Sequence, residues 1–284
     1  MVEAWFIILW FTLTTYMILD GRTFGAGALL HVVATTDEER RQVIGAIGPL
    51  WPWGEVWLIA AGGTLFVAFP RVLGVAFSGY YLALFLVLWA LIFRSMSLEV
   101  RGAVDHPLWR SFWNFTLVVS SLALALLFGV AMGNLLRGVP LDASQEFQMA
   151  FFTSFGVRGH VGLLDWYTVS VGLASTLVLG AFGATMLVHK TDGPVHERSR
   201  RAAAWLWAAG SVMLAVIAVE SWFVRPSLLT ALPGRPLAWL SLFACIAGAV
   251  CIYSGLRRSD LKSESRGVVG AAIFLYGLSG SWAA

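Results

Sequence analysis

Apolar runs of about 20 residues, the length a helix needs to cross a hydrocarbon layer of roughly 30 Å, recur along this chain of 284 residues from its first turn to its last. Nothing else in the sequence restricts the fold so strongly. Inside hydrocarbon every backbone N–H and C=O must be satisfied by the chain itself, which leaves helices or a closed barrel. A barrel strand alternates between lipid-facing and lumen-facing residues, whereas a run such as 212–219 is apolar at every position. Helices are therefore expected. Only 12% of the residues are charged and 58% are hydrophobic, against about a quarter charged in soluble domains, so water is not the main solvent of this chain.

The expected fold is an all-α integral membrane protein, a single transmembrane domain over residues 1–284 made of about eight helices packed as a bundle. The spans fall near 4–33, 54–70, 71–94, 112–136, 161–189, 203–223, 236–256 and 267–284. Phe69-Pro70-Arg71 separates the second from the third, because proline ends one helix and can start the next. The first run carries Glu3 in place of a basic leader and is too long for a signal core, so it reads as a retained span. Lys and Arg accumulate on the cytoplasmic side of membrane proteins. Here 13 of them lie after odd-numbered spans and five after even-numbered ones. That places the N-terminus outside the cytoplasm.

Ionisable groups at membrane depth are costly and tend to be functional or paired. Asp20 and Arg22 fall late in the first span, Glu55 at the start of the second, Asp165 early in the fifth and Glu220 late in the sixth. Asp20 either handles protons or pairs with Arg22 or with a neighbouring helix. Glu55 and Asp165 are the other path candidates, and Trp57, one turn into the second span, can line a path. Trp51 and Trp53 suit interfacial anchoring. Gly21-xxx-Gly25 and Gly129-xxx-Gly133 put small residues on one helix face, and Gly62-Gly63 does so locally, which predicts close helix packing.

The five histidines, His31, His106, His160, His189 and His196, all fall in loops or at span ends. No two face each other from mid-membrane positions, so no haem is expected on this chain alone. Cys245 and Cys251 lie six apart on roughly opposite faces of one helix and predict no metal or redox site. Zinc-protease and hydrolase motifs are missing, and the net charge of +3 gives no reason to invoke nucleic acid. No stand-alone catalytic or metal centre is expected.

Five ordered motifs within residues 19–201 resemble subunit II of the cytochrome bd quinol oxidases. Leu19-Asp20-Gly21-Arg22-Thr23-Phe24-Gly25 is similar to the family's Asp-Gly-Phe-Asp motif late in helix one. Gly48-Pro49-Leu50-Trp51-Pro52-Trp53-Gly54-Glu55-Val56-Trp57 is similar to its Gly-Pro-x-Trp-Asp-Gly-Asn-Glu-Val-Trp. Phe93-Arg94 with Glu99-Val100-Arg101, Gly129 to Pro140, and Lys190-Thr191-Asp192-Gly193 complete the set.

The resemblance implies a bacterial inner-membrane heterodimer, with this chain as the non-catalytic subunit II, pseudo-symmetric with a subunit I that holds haems b and d and oxidises quinol while reducing oxygen. It implies oxygen or proton paths through Asp20, Glu55, Trp57 and Asp165, and ion-pair or loop roles for Arg22, Arg94, Glu99, Arg101 and Lys190. It also implies a structural quinone, small accessory subunits and a surrounding lipid shell. Thr23, Pro52 and Asn114 stand where the family has acids, and Gly180 where it has a histidine. Neutral side chains cannot carry a proton, so a path through this chain is lost or rerouted through Asp20 or Glu55. The family's ninth helix is not found before Trp282-Ala283-Ala284, as if lost or cut off. The rival readings are a transporter or channel, which calls for a midplane site between broken helices, and a scaffold for another membrane cytochrome.

Overall fold

A computed structural model describes residues 1–139, 150–153, 155–156, 161–227, 234–258 and 260–283, without the side chains of 282 and 283. Eleven helices are described: α1 Val2–Ala28, α2 Leu30–Val33, α3 Asp37–Ile47, α4 Trp51–Ala68, α5 Pro70–Gly79, α6 Tyr81–Val100, α7 Pro107–Arg137, α8 Trp166–Lys190, α9 Gly193–Val224, α10 Pro236–Arg257 and α11 Leu261–Ala283. Seven stretches among the described residues are long and apolar enough to cross a membrane: α1, 37–68, α6, α7, α8, α9 and α10. The last helix, α11, opens on Lys262, Glu264 and Arg266 and is not among the seven.

Local chemistry sets the helix starts. Thr36 caps α3 by accepting the Glu39 N–H while the Glu39 carboxylate returns to the Thr36 N–H, and Asp165 with Thr168 forms the same reciprocal box at α8, satisfying backbone donors that a helix start leaves orphaned. Proline opens α5, α7 and α10, where its missing N–H costs nothing. The chain breaks again at Tyr80, so the expected third span 71–94 is corrected: the spanning helix is α6, Tyr81–Val100. Arg94, counted above as a loop charge, thereby lies inside a helix. His160, Arg158 and Pro140 lie outside the described residues.

Helix α8 is the post of the bundle, packed by α1, α7, α9 and α11, with Ala181, Phe182, Ala184 and Leu187 fully enclosed. Small residues permit this closeness. A β-carbon at Gly25 would overlap the Leu179 carbonyl, and one at Gly129 would overlap Ser175 and approach the Gly172 backbone to 2.7 Å. Gly21 and Gly133 meet Leu179 and Thr168 in the same way. The expectation for Gly62 and Gly63 needs correction within this chain: nothing lies within 4 Å of either, because α4 meets its neighbours through the buried Gly54 and Ala61.

Candidate functional site

The polar centre of the molecule forms where α1, α4 and α6 meet. Asp20 and Thr23 are three residues apart on α1 and so share a face. Arg94 reaches them from α6: its Nη2 donates to Asp20 Oδ1 at 2.8 Å and to Thr23 Oγ1 at 2.5 Å. The Asp20 and Arg94 side chains are both 0% exposed. The Thr23 hydroxyl in turn gives its hydrogen to Asp20, whose Oδ1 and backbone carbonyl both lie at 2.7 Å. The Arg94 guanidinium also sits 4.6 Å from the centre of the Phe24 ring. Burying two charges is tolerable only when they are paired and hydrogen-bonded.

From α4, Gly54 lets the chain run against Asp20, since a β-carbon there would come within 2.9 Å of Asp20 Cβ. The next residue, the half-buried Glu55, accepts a hydrogen bond from Ser95 Oγ at 3.1 Å. Consecutive residues of α4 and α6 thus serve two carboxylates side by side. Four atoms around this cluster, Asp20 Oδ2, Arg94 Nε and Nη1 and Tyr16 OH, are buried with no hydrogen-bond partner among the described residues. Buried polar atoms in that condition are where water or a mobile proton is accommodated. Trp57 lies two residues beyond Glu55, packed edge-on to Phe11 with ring centres 5.8 Å apart, beside the apolar cluster of Tyr16, Phe24, Leu124 and Leu179.

The remaining candidates are elsewhere. Asp165 caps α8 and pairs with Arg137. It is about 20 Å along the α8 axis from the Leu179 level at which Asp20 sits, at 1.5 Å per residue. Arg22 is not the partner of Asp20; its Nε donates to the Leu19 carbonyl at 3.2 Å. Arg101 is buried, with Nη2 2.6 Å from Asp37 Oδ1 and Nε 2.6 Å from Asn114 Oδ1. Glu99 and Lys190 are exposed, and Glu99 makes no ion pair among the described residues. Glu220 accepts from Ser170 Oγ at 3.1 Å.

No three His, Cys, Asp or Glu residues among those described come together as metal ligands. The described histidines do not suit an axial haem pair either. His106 caps α7, and His196 Nδ1 is engaged by the Val188 carbonyl at 2.8 Å. His31 and His189 sit at the ends of α2 and α8.

Sequence reasoning allowed Asp20 a partner on a neighbouring helix but did not identify it as Arg94, and it missed the roles of Thr23 and Ser95. Thr23 stands out only as a lost acid, yet its i+3 spacing from Asp20 is the signal that it shares the site. The link to Arg94 spans 74 residues and has no local signature.

The family described as cytochrome bd terminal oxidase subunit II matches residues 1–284. A Haemophilus influenzae protein named probable cytochrome oxidase subunit 2 is 39% identical over 196 residues, 69% of this chain and 50% of its own length. The cytochrome bd-I ubiquinol oxidase subunit 2 of Escherichia coli is 35% identical over 70% of this chain and 51% of its own. That of Bacillus subtilis, cytochrome bd ubiquinol oxidase subunit 2, is 32% identical over 76% and 61%. The chain spans about half the length of the first two. The solved bd oxidase from Geobacillus thermodenitrificans shares the fold, with a TM-score of 0.72 at 17% identity over 98% of this chain and 84% of that one.

Proposed function

The chain belongs to the cytochrome bd terminal oxidase subunit II family, and from that premise we propose that it is the non-catalytic second subunit of a terminal oxidase that takes electrons from quinol and reduces oxygen to water. Haems b and d, held by a partner subunit I, supply the redox chemistry; this chain supports their arrangement and serves the supply of protons or oxygen. The N-terminus faces the periplasm and the bundle packs against its partner about a pseudo-twofold axis. A structural quinone, lipid and small accessory subunits complete the assembly.

The observation that carries this reading beyond family membership is the buried cluster. Reducing oxygen consumes protons, and protons cross hydrocarbon only along polar groups. With Oδ1 of Asp20 fixed by Arg94 and Thr23, its free Oδ2 is the atom that takes and gives up a proton. Glu55, on the residue after Gly54 and open to the surface, is the next stop. Trp57 packs with the apolar cluster beside them, a lining that suits oxygen. Asp165, engaged as a helix cap and by Arg137, stays outside this route.

The test is purification from membranes in mild detergent. A haem-bearing chain of similar or larger size should co-purify, with reduced-minus-oxidised haem bands lost when that chain is removed. A stable, haem-free preparation without a partner would sink the assignment. Within the complex, Asp20→Asn and Glu55→Gln should each slow oxygen consumption with a soluble quinol by at least about tenfold, the lower range for loss of an acid–base group. Unchanged turnover in both would end the proton-path reading while leaving the subunit assignment in place.

A further inference from the structure

An acid that exchanges a proton has to be satisfied in two states, and the partners already described for Asp20 suit only one of them. Arg94 Nη2 donates to Asp20 Oδ1 at 2.8 Å, and the Thr23 hydroxyl donates to the same oxygen at 2.7 Å. A guanidinium has no acceptor atom. The Thr23 hydroxyl is committed as a donor too, because Arg94 Nη2 occupies its oxygen at 2.5 Å. Both contacts serve the carboxylate. Once Oδ2 carries a proton, its O–H needs an acceptor, since a buried hydrogen-bonding atom left without a partner is costly.

Tyr16 can meet that need. It precedes Asp20 by one turn of α1, so the two share a helix face, and the charged groups around it are Asp20, Arg94 and Glu55. The residue is 1% exposed. Its hydroxyl faces the Asp20 carboxyl but stops short of a hydrogen bond, so that it and Asp20 Oδ2 are both buried without a partner among the described residues. Edge-on contacts with Phe24 and Phe128, at 6.4 and 5.6 Å between ring centres, hold the ring and leave the O–H bond free to turn. A phenol hydroxyl both donates and accepts, whereas Nε and Nη1 of Arg94, the other unpartnered groups of the cluster, only donate.

We propose that Tyr16 is the positioning residue for proton exchange at Asp20: its hydroxyl donates to Oδ2 of the carboxylate and, after turning, accepts from Oδ2 of the protonated acid. The inference rests on the proton-path reading given above. No bond within the phenol breaks. The proton that Asp20 takes up and releases is its own, and the tyrosine keeps its hydrogen while changing the direction in which it points.

The experiment uses the intact complex and the variants Tyr16→Phe, Asp20→Asn and the two combined. Tyr16→Phe keeps the ring and its packing and removes only the hydroxyl. It should slow oxygen consumption with a soluble quinol by at least about tenfold, the rate equivalent of one hydrogen bond to a charged group. It should also raise the solvent deuterium isotope effect on turnover, because proton exchange at Asp20 becomes the slower step. In the Asp20→Asn background the same change should add nothing. A slowed Tyr16→Phe enzyme with the parent's isotope effect would reduce the hydroxyl to a packing role and overturn the proposal. So would unchanged turnover in Tyr16→Phe beside slow turnover in Asp20→Asn, an outcome that leaves the proton path itself intact. Unchanged turnover in Asp20→Asn would instead remove Asp20 from the path and this inference with it. Should Tyr16→Phe fail to accumulate, a ring-fluorinated tyrosine at position 16, close in shape and with a more acidic hydroxyl, must still change the rate and the isotope effect, and no change in either overturns the proposal.

Discussion

Arg94 and Asp20 meet 2.8 Å apart at the centre of the bundle, from helices 74 residues apart, and neither side chain has any exposed surface. The pair holds α6 to α1 at the point where α4 also closes in through Gly54. It fixes one carboxylate oxygen and leaves the other free, which is the condition for a group that must stay put and still exchange a proton.

Removing one member strands the other. Arg94→Met leaves a buried carboxylate and should destabilise the chain by about 3–5 kcal/mol, whereas Asp20→Leu with Arg94→Met removes both charges and should recover most of that loss. Thermal unfolding of the detergent-solubilised protein measures this. A double variant no more stable than Arg94→Met would show that the pair is not a self-contained unit.

Glycine contacts make a separate prediction. Gly25→Ala drives a β-carbon into the Leu179 carbonyl, and Gly183 meets the Gly25 backbone from the other side, so neither helix can yield locally. The expected cost is about 1–3 kcal/mol, the usual range for overpacking. Gly62→Ala, with nothing within 4 Å, should leave the unfolding temperature of the isolated chain unchanged or slightly raised, since alanine is the better helix former.

How much of this was legible beforehand depended on range. Span placement came from hydropathy and held for most of the chain. It failed at Tyr80, because a helix break between two apolar stretches leaves the hydropathy of both intact. Arg94 and Arg101 stood out as charges, but their partners did not: Asp20 and Asp37 lie 74 and 64 residues away. Arg22 shows the converse. Its proximity to Asp20 in sequence suggested a pair that helical geometry disfavours, since residues two apart point to different faces.

Asp165 separates capping from charge. Asparagine caps a helix about as well as aspartate, so Asp165→Asn should lose only the pairing with Arg137, while Asp165→Ala loses about a further 1 kcal/mol with the cap. Hydrogen exchange at the first turn of α8 should rise more in the alanine variant. Oxygen consumption by the complex should stay within about twofold in the asparagine variant, as expected of a group with no acid–base duty; a collapse there would return Asp165 to the proton path.

The last prediction concerns the end of the bundle where α3, α6 and α7 converge. Asp37 serves three arginines, with its carboxylate 2.6 Å from Arg101 and 3.3 Å from both Arg41 and Arg110. Only Arg101 is enclosed, its side chain 8% exposed, so the interaction that matters for stability is with Arg101; exposed pairs contribute little. Asn114 already accepts from Arg101 Nε at 2.6 Å through a neutral oxygen. Asn114→Asp would turn that contact into a charge-assisted one, which is roughly twice as strong. Asp37→Ala alone should therefore lower the unfolding temperature, and Asn114→Asp should restore most of the loss by handing Arg101 a second carboxylate. The two changes share one arginine, so their effects should not add. A double-mutant cycle read by thermal unfolding measures the coupling, and strict additivity would show that Arg101 does not join the two positions.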